Sequence, residues 1–289
     1  MNIGIGPLLG TEQWDQTSEQ SGRTYRIFVS RPVLPPPADG FPVVFIPDGN
    51  LLFPIAAQQA PIWSLVGEIR PALVVGVGYP IAEPFDYMPL RPYDLTPPTP
   101  EDYSFAPLPG PYGGADAFLT FLTGELTERL AAVYPLDRKD LSLLGNALGG
   151  LLALHALFHR PADFRTFIAA SPAIFWNGCA VLGAEGDFTA SARGGAVASR
   201  VLLTVGEREQ SLDDFVTAAR FLPDWTPERG LAETNSLRMV DNARELAERL
   251  ARLPTETGFE VEFAELRGET HSSVIAANVS RGLGFALRP

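Results

Sequence analysis

The segment Gly145-Asn146-Ala147-Leu148-Gly149-Gly150 has the spacing of a nucleophile elbow whose nucleophile is missing. The elbow pattern is G-x-S-x-G, in which a strand turns tightly, presents a serine and continues as a helix. Here a short apolar run at 141–144 precedes the turn, and a leucine- and alanine-rich run at 151–157 follows it. Alanine stands at the serine position, so Ala147 keeps the packing and removes the hydroxyl. The pattern predicts hydrolysis of a carboxylic ester by a serine nucleophile, and in this chain that serine is replaced by alanine.

Serine hydrolysis also needs a histidine base, a carboxylate that orients it, and N–H donors for the oxyanion. The chain has three histidines. His155 and His159 fall on the helix predicted after the turn, where a packed or surface histidine is the ordinary interpretation. His271 lies in a loop between the last predicted strand and the last predicted helix, where the third member of such a triad belongs. His271 is therefore the predicted base.

The orienting carboxylate is expected just past the strand predicted at 201–205, because the chain order of this triad is serine, acid, histidine. Glu209 lies three residues after Gly206 and is the favoured candidate. Glu207 and Asp213 are its alternatives, and each of the three would otherwise be a solvated loop carboxylate.

Two backbone N–H groups are predicted to hold the oxyanion. One is that of Leu148, which follows the nucleophile position. The other comes from the loop after the strand predicted at 43–46, where glycine lets the backbone turn and direct the N–H of Gly49 or Asn50 at the site.

The elements that must position these groups alternate along the chain. Continuous apolar runs predict buried strands, helical spacing predicts helices at 115–134 and 240–253, and alternation at 259–263 predicts an edge strand. This order predicts an α/β fold with a mostly parallel central sheet and helices on both faces, in one domain over 1–289. The Pro-rich stretch at 80–111 is interpreted as a lid or cleft wall, with a plain surface loop as the alternative. The remaining predicted strands are at 25–29, 43–46, 72–77, 141–144, 166–170 and 201–205.

Composition excludes several classes of partner. The net charge of −12 argues against nucleic acid and anionic membranes. No run approaches the roughly 18 apolar residues of a membrane span. The single cysteine, Cys179, excludes an intrachain disulfide and fits a reducing compartment. A cytoplasmic location is therefore expected, with a removed signal peptide left open, and the oligomeric state is not predicted.

Several stretches together resemble the Putative esterase family of α/β-hydrolases, which contains esterase D-like enzymes and the esterases that open siderophore trilactones. The resemblance extends from about residue 25 to the end. It implies the α/β-hydrolase fold and a carboxylic ester hydrolase without cofactor or metal, acting on a small-molecule ester that the fold does not define. The stretches are 47–50, 91–97, 113–116, 145–150 with 153–155, 170–172 with 175–176, and 268–271.

Four residues are candidate substrate contacts. Phe175 and Trp176 follow the strand after the elbow helix, and either stack on an aromatic or apolar acyl group or belong to the core. Arg91 and Tyr93, in the Pro-rich stretch, are suited to a carboxylate or carbonyl; an ion pair of Arg91 with Asp94 is the alternative. A trianionic catecholate siderophore calls for a basic cleft, which a net charge of −12 does not supply, so a siderophore trilactone is the second choice of substrate.

Two interpretations of Ala147 compete. An engineered serine-to-alanine change is favoured, because drift would be expected to erode the rest of the machinery, yet His271 and the Asp-Gly loop remain. The alternative is a natural non-catalytic homologue that binds a ligand or a partner. Under the favoured interpretation the chain binds its ester and does not cleave it.

Overall fold

Eight strands form one sheet in the computed structural model, in the order β1-β2-β4-β3-β5-β6-β7-β8. The structure describes residues 8, 10–83, 86–105, 108, 110–195, 197–210, 226, 237–254 and 258–289. Strand β2 pairs antiparallel with both β1 and β4, and all other neighbours are parallel. The strands are β1 Thr11–Thr17, β2 Thr24–Ser30, β3 Phe41–Pro47, β4 Leu73–Gly78, β5 Leu136–Asn146, β6 Thr166–Ala170, β7 Arg200–Gly206 and β8 Glu260–Leu266.

Helices connect the parallel strands. A π-helical turn, Leu122–Leu126, separates α3 from α4, and a 3-10 turn, Ala180–Ala184, separates α6 from α7. The helices are α1 Gly49–Leu65, α2 Arg91–Leu95, α3 Ala115–Phe121, α4 Thr127–Ala131, α5 Leu148–His159, α6 Trp176–Cys179, α7 Glu185–Arg193, α8 Met239–Leu250 and α9 Val274–Ala286.

The central strands are covered on both faces. Along β3, Val43 and Phe45 pack into a core with α3 and α5, while Val44 and Ile46 pack into a second core with α1 and α9. Side chains of a strand alternate between its two faces, so a continuous apolar run is what a doubly covered strand requires. The predicted mostly parallel sheet with helices on both faces is confirmed, and β8 lies at the predicted edge.

Two features of the sheet were not predicted. Strand β1 is polar and mostly exposed, because it is the outer strand and pairs only with β2. Strand β5 begins at Leu136, five residues earlier than the predicted start at 141. The four residues after Leu136 are charged, so they carry no apolar signal from which a strand could be predicted. One domain over 1–289 stays a prediction. Within the described residues, no helix is both long and apolar enough to cross a membrane.

Candidate active site

Ala147 occupies the turn between the last residue of β5 and the first residue of α5. Its backbone has φ 56° and ψ −112°, a conformation that costs a non-glycine residue energy. Glycine is required on either side. A Cβ at Gly145 would lie 1.9 Å from the Gly149 carbonyl oxygen, and one at Gly150 would lie 2.7 Å from that of Ala170. The strand, the tight turn and the helix of the predicted elbow are therefore present around an alanine.

His271 lies in the loop between β8 and α9 and contacts Glu209 at the end of β7. The distance from His271 Nδ1 to Glu209 Oε2 is 2.6 Å, and the Glu209 side chain is 0% exposed. The other oxygen, Oε1, accepts hydrogen bonds of 2.6 Å from Ser171 Oγ and from the Gly206 N–H. Because a carboxylate accepts, Nδ1 carries the proton, so Nε2 is the nitrogen that has the free lone pair in the neutral imidazole. The half-exposed ring is thus arranged to take a proton at Nε2.

The alternative acids differ in position. Glu207 Oε2 accepts a hydrogen bond of 2.7 Å from the Gly268 N–H at the surface, so its carboxylate fixes the loop that carries His271. Asp213 lies outside the described residues. The structure brings Glu209, and not Glu207, onto the imidazole.

A buried polar network continues from Glu209 towards the elbow, and sequence reasoning missed it. Asn278 Nδ2 donates to Ser171 Oγ at 3.1 Å and to Asn146 Oδ1 at 2.8 Å. Asn278 Oδ1 accepts from Thr204 Oγ1 at 2.7 Å. One signal was available: Asn278 follows Val274 at a four-residue spacing, so it is a polar residue on the buried face of a helix.

The predicted oxyanion donors lie at the amino ends of two helices. Leu148 is the first residue of α5 and Gly49 is the first of α1. The first N–H groups of a helix have no intrahelical acceptor. These helices follow β5 and β3, which are parallel neighbours, so their amino ends share one edge of the sheet. The Asn50 side chain is engaged elsewhere, since it donates to the Tyr79 carbonyl at 3.0 Å and accepts from its N–H at 2.7 Å.

Arg91 forms a buried ion pair with Asp48, and not with Asp94, the partner considered in the alternative interpretation of its role. Its Nε and one Nη donate to the two Asp48 oxygens at 2.7 and 2.6 Å, and the residue is 8% exposed. Burial works to lower the pKa of Arg91, but the Asp48 carboxylate outweighs it and the pKa is raised. Asp94 instead pairs with Arg23. The pair with Asp48 uses one edge of the Arg91 guanidinium, and the other N–H groups belong to a side chain that is only 9% exposed.

The other three candidate substrate contacts, Tyr93, Phe175 and Trp176, differ in how much of each side chain is exposed. Tyr93 is half-buried, with the Arg23 guanidinium 4.8 Å from its ring centroid. Trp176 is 2% exposed, so of its two interpretations the structure favours the core. Phe175 is half-buried, with its ring centroid 5.5 Å from that of Phe105. The rings around Trp176 are Tyr103 and Phe105, from the Pro-rich stretch, and Tyr112, the residue directly after it.

Two cavities adjoin the Pro-rich stretch, and neither lining includes Ala147, Glu209 or His271. One, of about 410 Å³, is lined by residues between 99 and 112, which include Tyr103, Phe105 and Tyr112. The other, of about 490 Å³, is lined by residues that include His155 and His159. Burial lowers the pKa of His155, and the Asp116 carboxylate 2.8 Å from its Nε2 opposes that shift. The two helix histidines thus lie at a separate cavity. Among the described residues, no group of three or more His, Cys, Asp or Glu could hold a metal ion.

Comparison with known proteins agrees with this geometry. Residues 18–248 match the sequence profile of the family described as Putative esterase. The chain is 36% identical over 288 residues to the ferri-bacillibactin esterase BesA of Bacillus subtilis, covering 97% of this chain and 90% of that protein. It is 34% identical over 291 residues to the siderophore triacetylfusarinine C esterase of Aspergillus fumigatus, covering 96% and 93% respectively.

Solved structures show the same fold. The BES protein of Bacillus cereus superposes with a TM-score of 0.82 at 31% identity, covering 100% of both chains. The siderophore hydrolase EstB of Aspergillus nidulans gives 0.80 at 28% identity, covering 99% of this chain and 97% of that one. The chain therefore belongs to the Putative esterase family and is an α/β-hydrolase similar to siderophore esterases.

Proposed function

We propose that this site is a serine-type ester hydrolase site in which Ala147 stands at the nucleophile position. His271 is the base and Glu209 is the acid that orients it. The observation that carries the proposal is the 2.6 Å contact between His271 Nδ1 and the fully buried Glu209 carboxylate. Such a contact holds the imidazole in one tautomer and stabilises the cation formed when Nε2 takes a proton.

The chemistry follows from these positions. A serine at 147 would attack the ester carbonyl while Nε2 of His271 takes the hydroxyl proton. The N–H groups of Leu148 and of Gly49 or Asn50 would stabilise the oxyanion of the tetrahedral intermediate. His271 would then give its proton to the departing alkoxide, and water would release the acyl group by the same steps. Alanine supplies no nucleophilic oxygen, so no acyl-enzyme forms and the bound ester stays intact.

We favour a serine-to-alanine substitution as the origin of Ala147. A non-glycine residue at φ 56° and ψ −112° costs on the order of 1–3 kcal/mol, and a natural binding protein has no need to retain it. The acid–histidine contact is likewise retained. A natural non-catalytic homologue remains the competing interpretation, and it too predicts binding without cleavage.

A siderophore ester is the substrate class that we place first. The names of the relatives support this choice, since they are esterases of ferri-bacillibactin and of triacetylfusarinine C. The sequence argument ranked this class second because of the net charge of −12, but that number is a sum over the whole chain and does not describe the cleft. Binding of both ferric siderophores to the present chain, measured by tryptophan quenching, tests the choice directly.

A covalent probe tests the site itself. An aryl fluorophosphonate should label the Ala147→Ser protein at residue 147 and should leave the present chain unlabelled at that residue, as read by peptide mass spectrometry. The variant carrying both Ala147→Ser and His271→Ala should label far more slowly, because the serine would lack its base. Equal labelling with and without His271 would remove this histidine from the proposed site.

A further inference from the structure

Two histidines lie one turn apart on α5, at a cavity that the proposed hydrolysis does not use. His155 and His159 both line the cavity of about 490 Å³. Residues four apart on a helix are neighbours on one face, and the two ring centroids are 4.6 Å apart with the ring planes at 47°. A helix that presents two imidazoles to one metal ion does so at this four-residue spacing. The pair therefore has the spacing of a two-point metal ligand.

The Asp116 carboxylate determines which nitrogen of His155 can act as a ligand. Its Oδ1 lies 2.8 Å from His155 Nε2. Because a carboxylate accepts, Nε2 carries the proton and Nδ1 has the lone pair of the neutral ring. Within the described part of the chain, neither Nδ1 of His155 nor either ring nitrogen of His159 has a hydrogen-bond partner. A metal-ligating histidine almost always donates its other N–H to such a group, which fixes the ring and makes it more basic.

The charges around the two rings favour a cation. His159 lies in the last turn of α5, where the unpaired carbonyl groups of the helix carry partial negative charge. Arg160 lines the same cavity, but its Nε lies 2.6 Å from Asp163 Oδ2, so one carboxylate already offsets its charge. The Asp116 carboxylate then remains to offset the charge of an ion bound beside His155.

The distance between the rings indicates the coordination geometry. A metal ion bound to an imidazole nitrogen at about 2.0 Å lies about 3.2 Å from the ring centroid. Two such rings are then about 4.5 Å apart when they meet the ion at a right angle, and about 5.2 Å apart at the tetrahedral angle. The observed separation of 4.6 Å matches the right angle. Square-planar and tetragonal sites of nitrogen and oxygen ligands are typical of Cu²⁺ and Ni²⁺.

We propose that His155 Nδ1 and His159 bind a divalent transition-metal ion of tetragonal preference, Cu²⁺ or Ni²⁺, and that Asp116 is the residue that positions His155. No third His, Cys, Asp or Glu joins them among the described residues, so water fills the other coordination positions. The inference is independent of the proposed function, because neither histidine takes part in the ester chemistry.

Titration of the untagged chain with Cu²⁺ tests the site. One equivalent should give a tetragonal electron paramagnetic resonance signal that is split by two imidazole nitrogens. Ni²⁺ should bind at the same site more weakly, following the general stability order of divalent ions. His159→Gln removes one ligand and should weaken Cu²⁺ binding at least about 10-fold. A signal in His159→Gln equal to that of the parent, or a parent signal without nitrogen splitting, would overturn the proposal.

The third histidine supplies the matched control, since the chain has only three. His271→Gln should retain the Cu²⁺ signal and the affinity of the parent. Loss of the signal in His271→Gln, with retention in His159→Gln, would place the ion at the proposed active site and reject the inference. Failure of Ala147→Ser to hydrolyse any ester would count against the proposed function alone, because metal binding needs no nucleophile.

Variants of Asp116 test its positioning role. Asp116→Ala should weaken Cu²⁺ binding by about 10-fold, the lower end of the range for partners of ligating histidines. The amide oxygen of Asp116→Asn can still accept from His155 Nε2, so its loss should be smaller. Parent-like affinity in Asp116→Ala would reject this role.

Melting curves add a readout that does not depend on the spectrum. Saturating Ni²⁺ should raise the melting temperature of the parent and of His271→Gln, and should leave that of His159→Gln unchanged. His159 is the residue to change because it is exposed, whereas His155 is 4% exposed and its replacement would disturb the core. An equal rise in His159→Gln would overturn the proposal.

Discussion

Asn278 Nδ2 donates a hydrogen bond of 2.8 Å to Asn146 Oδ1, on the residue just before the elbow position. The same nitrogen donates to Ser171 Oγ, which in turn donates to the Glu209 carboxylate. Asn278 and Ser171 are 0% exposed, and Asn146 is 6% exposed. One amide on the last helix therefore ties the elbow to the carboxylate that orients His271.

Asn278→Leu should impair both ends of this link. In the Ala147→Ser background we expect kcat to fall by about 10- to 100-fold. The reason is that the elbow and the Glu209 carboxylate lose the hydrogen bonds through Asn278 that hold them in place relative to each other. Unpaired buried partners should also lower the free energy of unfolding by about 1–3 kcal/mol. The control is Ser280→Ala on the same helix, whose hydroxyl bonds Gln59 and the Ala276 carbonyl outside this network. Full kcat with lowered stability would make Asn278 a packing residue only.

Ala147→Ser should create hydrolysis of activated short-chain esters. The elbow backbone and the Glu209–His271 contact are present, so under the proposed function the site lacks only the serine hydroxyl. Loss of a triad serine costs about 10⁶-fold in turnover, and restoring it should recover a large part of that factor. Release of 4-nitrophenol from its acetate measures the gain. A folded, pure Ala147→Ser protein no faster than the parent would favour the non-catalytic homologue.

Glu209→Gln should remove most of that gained activity. The amide cannot stabilise the imidazolium, and a comparable change in a serine triad lowers kcat by about 10⁴-fold. Glu207→Gln is the matched control in the same loop, since its carboxylate accepts from the Gly268 N–H and not from His271. The reverse ranking of the two variants would assign the acid to Glu207, and near-normal rates in both would direct attention to Asp213.

Chain order explains why part of this arrangement could be predicted. Parallel strands end at the same edge of a sheet, so the residues just past β5, β7 and β8 had to converge, which brought Ala147, Glu209 and His271 to one edge. Their catalytic roles stay predictions. The partner of Arg91 and the burial of Trp176 could not be predicted, because both depend on how the Pro-rich stretch packs. That stretch has no hydrophobic periodicity from which its contacts could be derived.

His155 should make stability depend on pH. Burial holds its pKa below the ordinary value, and the nearby Asp116 only partly opposes this. The unfolded chain therefore takes up a proton below about pH 6.5 that the folded chain resists, so stability falls as the pH drops through that range. Urea unfolding at pH 7.5 and 5.5 should show a smaller loss for His155→Gln than for the parent. His159→Gln, one turn later and exposed, should reduce the dependence less than His155→Gln does, because the His159 charge is only a secondary cause of the lowered His155 pKa.

Trp176→Ala should mainly lower the free energy of unfolding. The indole is 2% exposed, is surrounded by the rings of Tyr103, Phe105 and Tyr112, and donates from Nε1 to Thr99 Oγ1 at 3.3 Å. Truncation of such a ring leaves a cavity and costs about 3–5 kcal/mol. Urea unfolding should show this loss in Trp176→Ala and a smaller one in the half-buried Phe175→Ala.

Ester binding should distinguish Phe175 from Trp176 in the opposite order: the change at Phe175 should have the larger effect. Phe175 is half-buried and its ring contacts Phe105, a residue that lines the 410 Å³ cavity, so its remaining exposed surface is available to an acyl group. Calorimetry on the present chain should show weaker binding of an aromatic ester to Phe175→Ala than to the parent. Trp176→Phe keeps an apolar ring in the core and should bind as the parent does. Weakened binding in Trp176→Phe, at unchanged stability, would place the indole at the ligand after all.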